Sequence, residues 1–222
     1  MSTLFHIRYA REDELPAMVQ LSVIAFRHSG RPVNAALFPE RLRVNPGDTD
    51  EIEFTVRNTA RTFANENRHY VVAVDEQDTI MGWAEWTSGD DPIVDMTPDE
   101  RDRKRAEGIA RLPKSFDLQA AERLGREAEE LSEKLEEVLG EEDYRNSWSL
   151  NSVAVDPAQQ RKGVGKMLTR WGMERAAGES KAVHFLSSPS GAQLYRAMGF
   201  EEVGSGEILG GTEYAFVKRA AK

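Results

Sequence analysis

Cysteine is absent from all 222 residues, which removes disulfides, thiolate metal sites and any acyl-cysteine intermediate. Long apolar runs are absent too: none approaches the roughly 20 residues that span a bilayer, so no membrane partner is expected. The stretch from Met1 to Ala10 lacks a basic region followed by a long apolar one, so no secretory signal is read there and a cytoplasmic location is expected. Excess positive charge is also missing. The net charge of −9 opposes attraction to nucleic acid phosphates and suits a basic, amine-bearing partner, although plain solubility accounts for such a charge as well. Neither His69 nor His184 has a second ligand at metal-binding spacing, so no metal site is expected and a packed or exposed histidine is the reading for both.

What is present is the pattern of one α/β domain. Phe5, Ile7 and Tyr9 alternate with polar residues as in an edge strand, and Leu15, Met18, Val19, Val23 and Phe26 recur at helical spacing over Glu12 to Phe26. After a loop rich in proline and glycine, Asn34 to Arg43 reads as a short helix and Thr49 to Glu66 as a longer one. His69 to Asp75 and Thr79 to Thr87 read as a β-hairpin around Asp75-Glu-Gln-Asp78. Trp83 and Trp86 fall on opposite faces of its second strand, one facing an acceptor pocket and one the core, or both the core. Trp148 to Val155, Ala182 to Ser187, Glu201 to Val203 and Thr212 to Lys218 read as further strands, with helices over Gly163 to Ala177 and Ser190 to Met198.

Between the third and fourth strands, residues 88–145 differ abruptly in composition. They hold eighteen acidic and ten basic residues, hence −8 of the chain's −9, and read as a helical insertion into a single domain spanning 1–222. Within them Leu118, Ala121, Leu124, Ala128, Leu131, Leu135 and Val138 mark one long helix over 118–139, stopped at Gly140. Such a stripe packs across its own domain, closes over a site as a lid, or forms a homodimer seam; the sequence leaves these open.

The chemistry concentrates in Asn151-Ser-Val-Ala-Val-Asp-Pro-Ala-Gln-Gln-Arg-Lys-Gly-Val-Gly-Lys-Met-Leu168. A strand ends at Val155, Asp156-Pro157 turns the chain, and a helix opens at Gly163 and Gly165. First-turn N–H groups lack intrahelical partners, the helix dipole adds positive potential, and Arg161, Lys162 and Lys166 surround the same spot. That is an anion site, best suited to a pyrophosphate. A Walker loop would need Ser or Thr after Gly165-Lys166, where Met167 stands. A dinucleotide fingerprint would need glycine where Leu168 stands.

The segment resembles motif A of the GCN5-related N-acetyltransferase (GNAT) superfamily, Gln/Arg-x-x-Gly-x-Gly/Ala after a Val-x-Val strand end, filled here by Gln160, Gly163 and Gly165. Ser190-Gly-Ala-Gln-Leu-Tyr-Arg-Ala-Met-Gly-Phe200 resembles motif B, a helix ending Tyr-x-x-x-Gly-Phe. The resemblance implies a mixed, mostly antiparallel twisted sheet with flanking helices, and residues 88–145 are the part that the family pattern does not require. It also implies an acetyl-coenzyme A-dependent N-acyltransferase working by direct transfer in a ternary complex. The pantetheine arm would lie along Val153, Ala154 and Val155, with the Val153 N–H polarising the thioester carbonyl. The pyrophosphate would rest on Arg161, Lys162, Gly163, Val164, Gly165 and Lys166. Tyr195 would protonate the leaving thiolate, unless it is simply a core tyrosine. Where many relatives carry a carboxylate base, Asn151 and Ser152 stand. Asn151 would then hold a water that passes the acceptor's proton to Glu85, Asp95 or Asp143, each otherwise a plain surface charge. The insertion's acid favours a small basic amine as acceptor. A protein amino terminus or lysine is the alternative, as is a non-catalytic acyl-coenzyme A sensor.

Overall fold

In the computed structural model, which describes residues 5–28, 32–89 and 97–220, the apolar periodicities become seven strands and eight α-helices. The strands are β1 (His6–Tyr9), β2 (Arg68–Val74), β3 (Ile80–Ser88), β4 (Trp148–Val155), β5 (Val183–Ser187), β6 (Glu201–Ile208) and β7 (Gly211–Lys218). They form one sheet in the order β1-β2-β3-β4-β5-β7-β6, and every neighbouring pair is antiparallel except β4 with β5. The fold is therefore the mixed, mostly antiparallel α/β sheet expected.

Helices α1 (Leu15–His28), α2 (Pro32–Leu37) and α3 (Thr49–Thr62) precede β2. The periodic run that suggested a helix from Glu12 begins as a 3-10 turn over Glu12–Glu14, because the Glu14 carboxylate is held by Arg8 and by the Arg11 N–H. The expected helix from Asn34 to Arg43 is interrupted. Pro39 has no N–H to continue the ladder, so α2 ends at Leu37 and only a 3-10 turn, Glu40–Leu42, follows.

The insertion contains α4 (Pro98–Ala110), α5 (Leu118–Leu139) and α6 (Glu141–Asn146). Only α5 carries an unbroken apolar stripe, which is why it alone was legible. Asp117 caps it by accepting from the Ala120 N–H, and Gly140 ends it at a positive φ of 83°. Leu131 and Leu135 of α5 bury against Ile208, Leu209, Ala215 and Val217, so the long helix packs across β6 and β7 of its own chain.

Side-chain alternation fixes the layers. Val72, Val74, Trp83 and Ala154 point to the face covered by α1 and α3, and α5 covers the other half of that face. Trp86, Leu150, Phe185 and Phe216 point to the opposite face, beneath α7 (Val164–Gly178) and α8 (Pro189–Ala197). Both tryptophans of β3 are core residues, their indole N–H groups donating to Ser22 Oγ at 2.8 Å and to the Leu168 carbonyl at 3.3 Å. No helix among the described residues is long and apolar enough to cross a membrane.

Two stability predictions follow from this packing. A Cβ on Gly172 of α7 would lie 2.3 to 2.6 Å from the Trp86 indole, so α7 approaches the sheet only because that position is glycine. Gly172→Ala should lower stability by about 3 kcal/mol in a urea titration followed by tryptophan fluorescence. His184 of β5 packs against the Tyr144 ring of α6 at 4.6 Å, and burial lowers its pKa to about 4. The native state thus binds this proton more weakly than the unfolded chain, and stability should fall as pH drops from about 6.5 through 4. His184→Phe should remove up to about 3 kcal/mol of that acid-side loss in denaturation measured across the window.

Candidate active site

The site begins with two strands that part. The parallel pair β4 and β5 is in register only at Trp148 with Val183 and Ser149 with His184. Opposite β3 the register skips Asn151: Glu85 faces Ser152 and the next residue, Trp86, faces Leu150. Asn151 is thus the extra residue of a β-bulge, which bends a strand and raises its twist, and beyond it β4 diverges from β5. The Asp156 N–H donates to the Met81 carbonyl at 3.0 Å, on the β3 side. Backbone direction alternates along a strand, so Val153 and Val155 turn their N–H groups the other way, into the gap. Gln160 closes the end of the gap, its side-chain amide donating to the Val155 carbonyl at 3.3 Å.

After β4 the chain builds a cradle of backbone N–H groups. Asp156 accepts from the Ala158 N–H at 2.8 Å and fixes the turn Pro157–Gln159. Arg161 and Gly163 then take left-handed conformations, with φ of 64° and 92°, before α7 starts at Val164. Left-handed residues among ordinary ones turn successive N–H groups to a common side, beside the unpaired first turn of the helix. At Gly163 the backbone itself calls for glycine, since a Cβ would meet nothing within 4 Å. At Gly165 a Cβ would touch Leu194 and Val155 at only 3.5 and 3.7 Å, so the protein's own packing tolerates one and the bare backbone serves approach from the cleft.

Gap and cradle open into one cleft of about 730 Å³. All the expected cofactor residues line it except Lys162 and Val164. The Lys162 ammonium turns away to Gln159 Oε1 at 3.0 Å, and the Val164 side chain is buried in the core, leaving only its backbone to the loop. Arg161 and Lys166 bring two cations to the wall, and no carboxylate lines it among the described residues. Tyr195 borders the cleft from α8 while its ring sits in the core, 4.4 Å from the Phe185 ring. The two roles read for this tyrosine are compatible in one position. Asn151 is exposed at the same cleft, donating to Thr87 Oγ1 at 2.6 Å and accepting from Ser149 Oγ at 3.1 Å.

The carboxylates named as bases are scattered. Glu85 is bound by Arg68 at 2.5 Å and accepts from the Tyr70 hydroxyl at 3.2 Å; burial first, then the charge of Glu85, pushes that phenol up to about 12. Asp143 lies in the first turn of α6, and Asp95 lies outside the described residues. No described residue of the insertion lines the cleft. Among the described residues there is no cluster of His, Asp and Glu able to hold a metal ion, and His69 instead stacks on Trp148 at 4.9 Å.

Several cleft residues escaped the sequence reading. Ala25 and Phe26 come from α1, and Ser187, Ser188, Ser190, Gln193 and Leu194 come from the end of β5 and from α8. The second group had a usable signal. In α/β sheets a ligand crevice lies outside the carboxyl ends of parallel strands, and β5 is the only strand parallel to β4 among the described residues. The Ser-Ser-Pro-Ser-Gly turn after it is the counterpart of the loop after β4.

Comparison with known proteins agrees with this geometry. Residues 128–202 match the model of the acetyltransferase (GNAT) domain. No curated protein matches the chain in sequence. Among solved structures, the histone acetyltransferase HPA2 and related acetyltransferase of Corynebacterium glutamicum is similar, with a TM-score of 0.62 at 19% identity over 100% of this chain and 98% of its own. A mosquito arylalkylamine N-acetyltransferase like 5b gives 0.58 at 17% identity, covering 97% and 100%. The PaiA N-acetyltransferase of Thermoplasma acidophilum, solved in complex with coenzyme A, gives 0.53 at 12% over 97% and 99%. The domain match spans β4, α7, β5 and α8, and the chain as a whole is similar in fold to these acetyltransferases.

Proposed function

We propose that this acetyltransferase moves the acetyl group of acetyl-coenzyme A to the primary amine of a small basic molecule, by direct attack within a ternary complex. One observation carries the donor half of the reading: a cleft with an unpaired strand edge at one end, an N–H cradle at the other, two cations and no carboxylate among its described lining residues. Such a cleft fits an amide-bearing arm that ends in a diphosphate. Val153, Ala154 and Val155 would bond the arm, and Arg161, Lys166 and the backbone of residues 162–165 would hold the diphosphate.

The donor supplies an activated thioester; the chain supplies position and protons. The Val153 N–H, fixed by the sheet, offers a hydrogen bond to the negative charge that develops on the thioester oxygen. Once the amine nitrogen has bonded to the carbonyl carbon, Tyr195 gives its hydroxyl proton to the sulfur as the carbon–sulfur bond breaks, and the proton that the new amide nitrogen sheds restores the phenol through solvent. Asn151 retains one amide hydrogen and one carbonyl lone pair beyond its two protein partners, enough to hold the water that accepts the ammonium proton. From that water the proton passes to solvent, since Glu85 is already engaged by Arg68. In this reading the insertion bounds the acceptor side, because α5 and α6 share the sheet face to which Ser149 and His184 point. The chain acts in the cytoplasm.

Release of free thiol from acetyl-coenzyme A, measured over a panel of amines and lysine peptides, tests the reaction and its acceptor class. Small basic amines should be consumed and peptides spared; thiol release with peptides alone would assign a protein acceptor, and none with either would leave a binding domain. Tyr195→Phe should lower kcat about a hundredfold with little change in calorimetric affinity for coenzyme A. Arg161→Ala should do the reverse, weakening that affinity about tenfold through loss of a charge-assisted contact.

A further inference from the structure

A second cavity, of about 410 Å³, lies on the other flank of α1, between that helix, α2, the start of α3 and the insertion turn that carries Ser115. Val23 and Arg27 of α1 face it, whereas Ala25 and Phe26 face the donor cleft, so a single helix separates the two. Its electrostatics are opposite to those of the cleft. Glu40, Asp48, Asp50 and Glu51 line it, against Arg27 and Arg43.

Those charges are not equally available. Arg27 pairs with Asp48, and Arg43 lies 3.6 Å from Glu40. Asp50 is occupied as a loop cap, accepting from the Val44 and Asn45 N–H groups at 2.9 and 3.2 Å and from the Asn45 side-chain amide at 2.6 Å. Glu51 is different. It is only 9% exposed, and the one hydrogen bond it makes among the described residues is from the Asn34 amide at 2.6 Å. A buried carboxylate has room for about four hydrogen bonds, and burial pushes this carboxyl up, as expected of a charge short of compensation.

A second buried group on the same wall is short of a partner. Ser115 is 2% exposed, and its Oγ makes no hydrogen bond of acceptable geometry among the described residues, although it sits near enough to Asp50 to help hold that carboxyl down. Buried hydroxyls are normally bonded, so this one has hydrogen-bonding capacity to offer on that wall. The remaining wall, Val23, Pro32, Ala35 and Phe38, is apolar.

We propose that this cavity is a second binding site, one that takes a primary ammonium carried on a short apolar stem. The ammonium has three hydrogens to donate. Glu51 offers charge and free lone pairs, Ser115 Oγ and the Asn34 carbonyl offer neutral acceptors, and the stem lies against Phe38 and Pro32. The site does not depend on the transfer reaction, because it uses none of the residues of the donor cleft.

Calorimetric titration of the full chain, without donor, tests it with butylamine as probe and butanol as the uncharged control. Butylamine should bind and butanol should not. Glu51→Gln, which keeps size and the bond from Asn34 in reach, should weaken butylamine about tenfold or more, and Ser115→Ala should weaken it severalfold. Intermolecular NOEs from the butyl methyl group to the Phe38 ring should locate the stem, and they serve as the readout should Glu51→Gln fail to fold. Equal binding of butanol, full affinity in both variants, contacts to Tyr195 in place of Phe38, or no binding of butylamine each overturns the proposal. The two sources of such a ligand separate in the thiol-release assay. If the acceptor itself fills the cavity, Glu51→Gln raises its KM by the factor seen in calorimetry. If a separate effector does, KM for the acceptor stays and only the response to added butylamine is lost. Absence of any transfer would defeat the proposed reaction and leave this titration unaffected.

Discussion

One constraint organises this molecule: two parallel strands that pair for two residues and then part. A bulge at Asn151 turns β4 away from β5, and a strand edge that would otherwise be buried in a sheet interior keeps its N–H and C=O groups unspent. An exposed edge is a hazard when it invites any passing strand. Here it lies inside a cleft with helices at both flanks, which keeps another sheet edge from pairing with it. The rest of the fold serves that opening. β1, β2 and β3 anchor one side, β7 and β6 the other, and α7 and α8 follow the two parting strands and bring their first turns to the same crevice.

The core explains why the gap holds its shape. Trp86 fills the space under α7 where Gly172 admits it, and Trp148 packs edge-on to it at 6.3 Å. Phe185, Tyr195, Phe200 and Phe216 form a second aromatic group under α8. Large rings bury much area with few rotamers, so both lips of the cleft rest on stiff ground. Tyr195 belongs to this group and to the cleft wall at once, so its position at the cleft is set by core packing.

How much of this was legible in the sequence depends on how local each feature is. The strand end, turn and glycines from Val153 to Gly165 lie within a dozen residues, and local geometry alone makes them a cradle of backbone N–H groups. The long helix at 118–139 was legible because its stripe is unbroken over six turns. The short helices α4 and α6 were not, since α4 is exposed all round and carries no stripe to read. Residues 34–43 misled because periodicity ran through Pro39, whose missing N–H matters more than apolar spacing over one turn. The contribution of Ala25 and Phe26 to the cleft was beyond reach. Their place depends on how α1 lies across β4, a contact between positions far apart in the chain. Lys162 lies on the loop as expected, and its direction was not legible: its ammonium donates to Gln159 Oε1 at 3.0 Å.

Charge distribution carries the argument one step further. The chain's excess of acid is concentrated in the insertion, yet the insertion lends the second cavity a neutral serine, while the carboxylates there belong to α3 and the segment before it. Across α1 the charged groups among the described residues of the larger cleft are Arg161 and Lys166, both cations. With α1 between them, the two sets of charged side chains line separate cavities and are kept from direct pairing. On the proposed reading, an anionic thioester carrier and a cationic amine would lie on different flanks of one helix. On the same reading, an acidic or neutral molecule would gain nothing from the Glu51 side.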